Sequence, residues 1–253
     1  MCWRFALALG AALSAATAHA ADAGSGLQAA QAVFRLVSED LASAAAYKPL
    51  VPSASTGIVG FDVGAAVLVN QIRNRDAFAL ALAPQGTPPA AAAAAAGSPA
   101  AIVQYALRVN KGLPMDLDIG ASVAKFAGAG AGAGIQVAGA DVRWAALLER
   151  TYLPAISLRA AFSSLSGVDQ LALRTVSYDV AMSKRLGLLT PYAGIGQVQV
   201  QSVPNGGGLQ AENFNLLRIF GGAGLSVNRL SFLMEVDKTG EAANVGLKLG
   251  LQF

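Results

Sequence analysis

From Gly57 to Phe253 apolar side chains recur at every second position, and each such run stops at glycine, proline or a cluster of polar turn formers. Residues two apart share one face of a β-strand, so this period describes strands with an apolar and a polar face. The runs are 58–69, 102–110, 116–124, 138–146, 156–163, 171–183, 191–201, 215–227, 232–237 and 245–253. In 58–69, for example, Val59, Phe61, Val63, Ala65, Val67 and Val69 oppose Gly60, Asp62, Gly64, Ala66 and Leu68. Run 171–183 is less regular, with Arg174 on the parity of Val176, Tyr178 and Val180, which suggests a rim position or a bulge. Glycines 221, 222 and 224 would let a small closed sheet bend tightly.

No stretch is both free of Gly and Pro and long and apolar enough for a spanning helix, since 77–107 is broken by Pro84, Pro88, Pro89 and Pro99. An apolar chain of period two, at 54% hydrophobic and 13% charged residues, has one way to satisfy its backbone in lipid, a closed antiparallel sheet. The expected fold is all-β: an antiparallel transmembrane β-barrel over 57–253 with about ten strands. The stretch Asp76–Ala83 could hold a further strand and make the count twelve. An even count puts both ends on the periplasmic side. Turns at 110–114, 149–153, 184–187 and 228–229 then alternate with the mostly longer connections 70–98, 126–133, 164–170, 203–213 and 239–243, the expected periplasmic and extracellular sets.

Residues 1–20 carry Arg4, an apolar run from Phe5 to Ala16, and Ala18-His19-Ala20, the form of a cleaved secretory signal peptide. The single Cys2 and single His19 both lie in it, so the mature chain is expected to lack disulfides, thiolate nucleophiles, Ser-His-Asp triads and histidine-held metals. No cofactor is expected. A net charge of +3 (Lys+Arg 18, Asp+Glu 15) is too small for a nucleic-acid footprint. Residues 21–56 form the expected periplasmic segment, with Leu27, Ala30, Val33, Phe34, Val37 and Leu41 at helical spacing over about 27–46. This amphipathic helix is expected at or inside the periplasmic mouth.

The end of the chain, EAANVGLKLGLQF (241–253), resembles the C-terminal assembly signal of bacterial outer-membrane barrels, carried by Val245, Leu247, Leu249, Leu251 and terminal Phe253. With LASAAAYKPL (41–50), GIVGFDVG (57–64), LSGVDQLAL (165–173), LTPYAGIGQV (189–198) and EVDKTG (235–240), nearly the whole mature chain is similar to a family of proteobacterial outer-membrane β-barrel proteins without an assigned activity. The resemblance implies outer-membrane location, contact with lipid and with the barrel-assembly machinery, and no catalytic residue.

The polar parity gathers Asp62, Arg108, Asp118, Asp141, Arg143, Arg159, Arg218, Glu235, Asp237 and Lys248, expected to face the lumen. Acids and bases are intermixed, which suits either a polar path for a small solute or pairing across a narrow interior. Asp116/Asp118 and Glu235/Asp237 stand two apart, a spacing open to acid–base chemistry or Ca²⁺, or simply to two groups on one strand face. The stretch 128–134 alternates Gly and Ala without a following Lys-Ser/Thr, which makes it a loop, not a phosphate cradle. Trp144, Tyr152, Tyr192 and Phe253 fall at one set of strand ends and Phe126, Phe162 and Phe214 at the other, the placement of interfacial girdles or of a sugar-stacking surface. The expectation is a non-enzymatic narrow channel or small-solute binding barrel. The alternative is a non-conducting structural or interaction barrel working through its loops or its helix. A hydrolase using carboxylates alone is the remaining enzymatic option.

Overall fold

The computed structural model describes residues 23–77, 100–127, 134–169, 171–206 and 208–253. The expected signal peptide, most of loop 70–98 including its alanine tract, and most of the Gly/Ala stretch lie outside the described residues. Ten strands follow one helix α1 (Ala23–Ala45): β1 (Phe61–Gln71), β2 (Ala101–Gly112), β3 (Leu117–Phe126), β4 (Gln136–Leu147), β5 (Ala155–Ser166), β6 (Leu171–Ser183), β7 (Leu189–Pro204), β8 (Glu212–Val227), β9 (Leu230–Thr239) and β10 (Ala242–Gln252). Every strand pairs antiparallel with its sequence neighbour, and β1 pairs β10 from Asp62↔Gln252 to Asn70↔Asn244, so the sheet closes as a ten-stranded barrel.

Exposure alternates along the strands as the period demands. Val63, Val67 and Val69 on β1, Leu107 on β2, Leu158 on β5, Met234 on β9 and Leu247, Leu249 and Leu251 on β10 are each about 40–70% exposed on the outside, whereas Asp62, Arg108 and Lys248 are buried within. An apolar outer band over a polar interior is the surface of a membrane-spanning barrel. Among the described residues, no helix is long and apolar enough to cross a membrane.

Two details differ from the sequence pattern. Strand β6 pairs without a shift on either side, and the bulge sits instead between β4 and β5, at Ala145/Leu147. On strands β7 and β8 one parity faces inward throughout, but near one mouth the inward face is apolar and the outward face polar. Val198, Val200, Phe214 and Leu216 turn inward, and Gln197, Gln199, Gln201, Asn213 and Asn215 turn outward beside exposed Arg174. The register Arg174↔Gln201↔Asn213 joins them into one polar patch on the outer wall. The inward apolar face there meets α1, described next.

Four connections and the two barrel ends mark one mouth: 113–116, 148–154, 184–188 and 228–229, with Phe61 and Phe253 exchanging backbone hydrogen bonds at 3.0 and 2.8 Å. In the first of these turns Met115 and Asp116 both take left-handed backbone. The opposite mouth carries the connections 72–100, 127–135, 167–170, 205–211 and the tight turn 240–241.

Candidate functional site

The lumen is occupied by the chain's own residues, from Ala30 to Thr56. Helix α1 enters from the mouth with the long connections, and an extended segment continues from Ala46 to the short-turn mouth, where β1 begins. The helix thus lies toward the long connections and away from the short-turn mouth. At the long-connection end Gln31 donates to the Gln210 carbonyl at 3.2 Å and accepts the Gln210 N–H at 2.9 Å. Arg35 bridges Glu39 and Glu212 and lies 3.8 Å from the centre of the Phe214 ring. Asp40 accepts the backbone N–H groups of Arg73 and Asn74 just beyond β1. Burial pushes the Asp40 carboxyl above its ordinary value, against those two N–H bonds, which pull it down.

Every residue from Asp40 to Leu50 is buried. A helix buried on all sides needs a narrow cross-section, and LASAAA supplies it with Ala42, Ser43, Ala44, Ala45 and Ala46. Its apolar stripe, Phe34, Val37 and Leu41, packs against inward Leu68, Ala106, Leu173, Val198, Val200 and Leu216. Each large apolar side chain so buried is worth about 1.5–3 kcal/mol.

The end of a helix leaves its last four carbonyls without partners, and in a closed lumen they must find them. Here all four do. Ala42 O accepts from the Ala46 N–H at 2.8 Å, Ser43 O from Lys48 Nζ at 2.6 Å, Ala44 O from Gln104 Nε2 at 3.1 Å, and Ala45 O from Ser163 Oγ at 2.6 Å. Two of these four donors come from the barrel wall. Lys48 also donates to Asn70 at 3.0 Å, and its cation sits where the helix dipole favours one.

Below the helix the wall turns charged. All ten residues assigned to the lumen are buried inside the barrel. Arg218 bonds Glu235 at 2.7 Å, stands 3.8 Å from Asp237 and donates to the Tyr47 carbonyl at 3.1 Å. Arg143 pairs Asp118 at 3.0 Å and donates to the Pro52 carbonyl, Lys248 pairs Asp62, and Asp118 also accepts from Thr56. Arg159 takes a different partner, Asp179 on β6, at 2.7 Å through a fork of bonds. Arg108 lies 5.5 Å from the Tyr47 ring centre, and among the described residues its Nε and Nη1 have no hydrogen-bond partner; nor does Oδ1 of Asp141. Asp116 stays outside this network, in a turn.

Wall glycines make the sockets for the threaded segment. A Cβ on Gly139 would stand 2.6 Å from the Tyr47 ring, and one on Gly120 would collide with Asp141 and come within 3.0 Å of the Tyr47 hydroxyl. A Cβ on Gly246 would lie 2.9 Å from a Leu50 methyl. Around Pro52–Thr56 the fit loosens to a cleft of about 260 Å³ bordered by Asp62, Asn110, Arg143, Glu149 and Arg185.

Among the expected girdle residues, Trp144, Tyr152, Phe162 and Phe253 are exposed on the outside. Tyr192 and Phe214 are not, since Tyr192 is buried and donates to Glu235 at 3.0 Å while Phe214 is buried against Arg35. Phe126 also lies on the inward parity and packs on the apolar cluster around α1. Residues that sequence reasoning left out are Asp179, Tyr47 and Lys48. Parity alone could have found Asp179, which alternates with Tyr178 and Val180. Among the described residues no group of three or more His, Cys, Asp or Glu is placed to hold a metal ion.

No protein-family model and no curated protein sequence matches this chain. Among solved structures it is similar to the N-terminal β-barrel domain of Pseudomonas aeruginosa OprF, at 11% identity over 78% of this chain and 99% of that one with a TM-score of 0.29. It is also similar to Neisserial surface protein A (9% identity, 76% and 94%, TM-score 0.30) and to the translocator domain of the autotransporter NalP from Neisseria meningitidis (10% identity, 91% and 97%, TM-score 0.33). The barrel rests on its own ten hydrogen-bonded strand pairs.

Proposed function

We propose that this chain is an integral outer-membrane barrel closed by its own N-terminal segment, a non-conducting platform that presents its long connections and the start of α1 to partners. The observation that carries this is the run Asp40–Leu50, buried on every side within the sheet. The lumenal charges support the same reading, because most of them are engaged with one another or with the threaded backbone instead of lining an open path. Unpaired charges in such an interior are costly, so a pairing network is what a closed lumen requires. Short turns at one mouth and long connections at the other fit a barrel with the long set outward. The outward face of β10, ending at Phe253, would be the strand offered to the assembly machinery. The inward carboxylates Asp62, Asp118, Asp179, Glu235 and Asp237 stand against cations, and no catalytic step is assigned to them.

The reading is tested by current recordings from the folded, signal-free protein in a planar lipid bilayer. Silent insertion is expected for the intact chain, with discrete steps appearing when residues 23–52 are deleted. Reproducible steps from the intact chain, changed by neutralising Arg108 or Arg159, would overturn it in favour of a narrow channel.

A further inference from the structure

The direction of threading carries a consequence for where the N-terminal end of the helix resides. Strand β1 starts at the short-turn mouth, so a segment that merely capped that mouth would need no more than the few residues before Phe61. Instead the chain traverses the whole bore. Thr56 bonds Asp118 near the short-turn mouth, and Ser53 N–H meets Ser183 Oγ at 3.0 Å. Tyr47 and Lys48 occupy the middle, and Ser38 meets Ser202 at 2.9 Å higher up. Asp40 and Gln31 are tied to residues beyond the ends of β1 and β7, at the long-connection mouth. The turns before Ala30 emerge there, with Leu27, Gln28 and Ala29 exposed.

A chain that reaches the outer membrane from the periplasm starts with both its ends on the inner side. If the long connections face outward, α1 has crossed the membrane through the bore of its own barrel. We propose that this barrel translocates its own N-terminal segment during assembly and displays the first turns of α1, before Ala30, on the cell surface. The proposal rests on the closed-lumen reading above. The bore is built to hold what has passed through it: wall side chains of Gln104 and Ser163 donate to the helix-end carbonyls, and Arg218 and Arg143 grip the following backbone at Tyr47 and Pro52. Retreat of the helix would strip the two wall donors, Gln104 and Ser163, from the carbonyls of Ala44 and Ala45, so the arrangement retains the displayed end.

The chain's single cysteine is Cys2, so in a Cys2→Ser background one introduced thiol is unique. Ala29→Cys, Glu241→Cys and Tyr152→Cys, all at exposed positions, are made one at a time in the full-length chain and exposed on intact Gram-negative cells to a membrane-impermeant maleimide. Glu241→Cys reports the long-connection mouth and Tyr152→Cys the short-turn mouth. The expected result is labelling of Ala29→Cys in intact cells at the level of Glu241→Cys, at least tenfold above Tyr152→Cys, which labels only after permeabilisation. Labelling of Ala29→Cys only after permeabilisation, with Glu241→Cys labelled on intact cells, would overturn the proposal. A Ser38→Cys/Ser202→Cys pair separates the two readings: disulfide formation shows the helix docked in the lumen whichever way labelling falls. Absence of both the disulfide and surface labelling would overturn the closed lumen together with the display.

Discussion

The two halves of the lumen hold the same polypeptide by different physics. Toward the long connections, Phe34, Val37 and Leu41 lie against a collar of Leu68, Ala106, Leu173, Val198 and Leu216. Toward the short turns, an extended chain runs between Arg143–Asp118, Arg218–Glu235 and Lys248–Asp62. Apolar contact is non-directional and scales with area, so the collar supplies attraction without dictating the helix's height to within a residue. Charged hydrogen bonds to the carbonyls of Tyr47 and Pro52 are directional and fix the register. The difference teaches that truncation should have separable effects: collar changes loosen the plug while sparing the barrel, and charge changes injure both.

The largest effect is expected from Arg218→Met, which keeps the bulk but leaves Glu235 and Asp237 buried without their cation. A loss of about 3–5 kcal/mol in barrel stability is expected, the cost of breaking a buried pair. It is measured as the urea midpoint of the folded band on unheated gels, and partial recovery by Glu235→Gln in the same chain would show that the stranded carboxylate is the cause. Leu41→Ala comes next, at about 2–5 kcal/mol from the docking of α1. Here the folded barrel band should be retained while trypsin gains access to Arg35; a parallel loss of the barrel itself would erase the distinction between the halves. Gly246→Val places a side chain where Leu50 now sits and should cost about 1–3 kcal/mol of docking, visible as brief openings in bilayer recordings.

The smallest expected effect is on pH dependence. Burial raises the Asp40 carboxyl in the docked state, so docking favours its protonated form. That contribution is full below the ordinary aspartate range and is lost as pH rises through the raised value. Protease access to Arg35 should therefore fall on acidification across that window, and Asp40→Asn should flatten this part of the profile. A profile unchanged by Asp40→Asn would remove Asp40 from the account of the collar.

Strand parity was legible from residues such as Val63, Val67, Leu247 and Leu249, and with it the even count and the closed barrel. The inward charges followed from the same parity. What parity does not give is which face points inward when both are mixed. On β7 the apolar residues Val198 and Val200 face the lumen because α1 is there to meet them, and Gln199 and Gln201 face out. The same apolar inward face took Phe214 off the girdle, and Tyr192 left it for a bond to Glu235. The helix was legible from its stripe, yet its place was not, because the contacts that set it join residues far apart in sequence, Ser38 to Ser202 and Ser43 to Asn244. The run LASAAA was the available signal, since small side chains on every side of a helix suit a narrow bore better than an open mouth.

The plug and its barrel are one chain, joined by only the turn at Gly57–Gly60 before β1. A ligand tethered this closely acts at an effective concentration on the order of millimolar or above, whatever the amount of protein in the membrane. Closure is therefore unimolecular. It cannot be diluted away, a plug peptide added from outside would have to outcompete an occupant tethered beside its site, and the rate at which the lumen reseals after an opening should be the same in a crowded membrane and a sparse one.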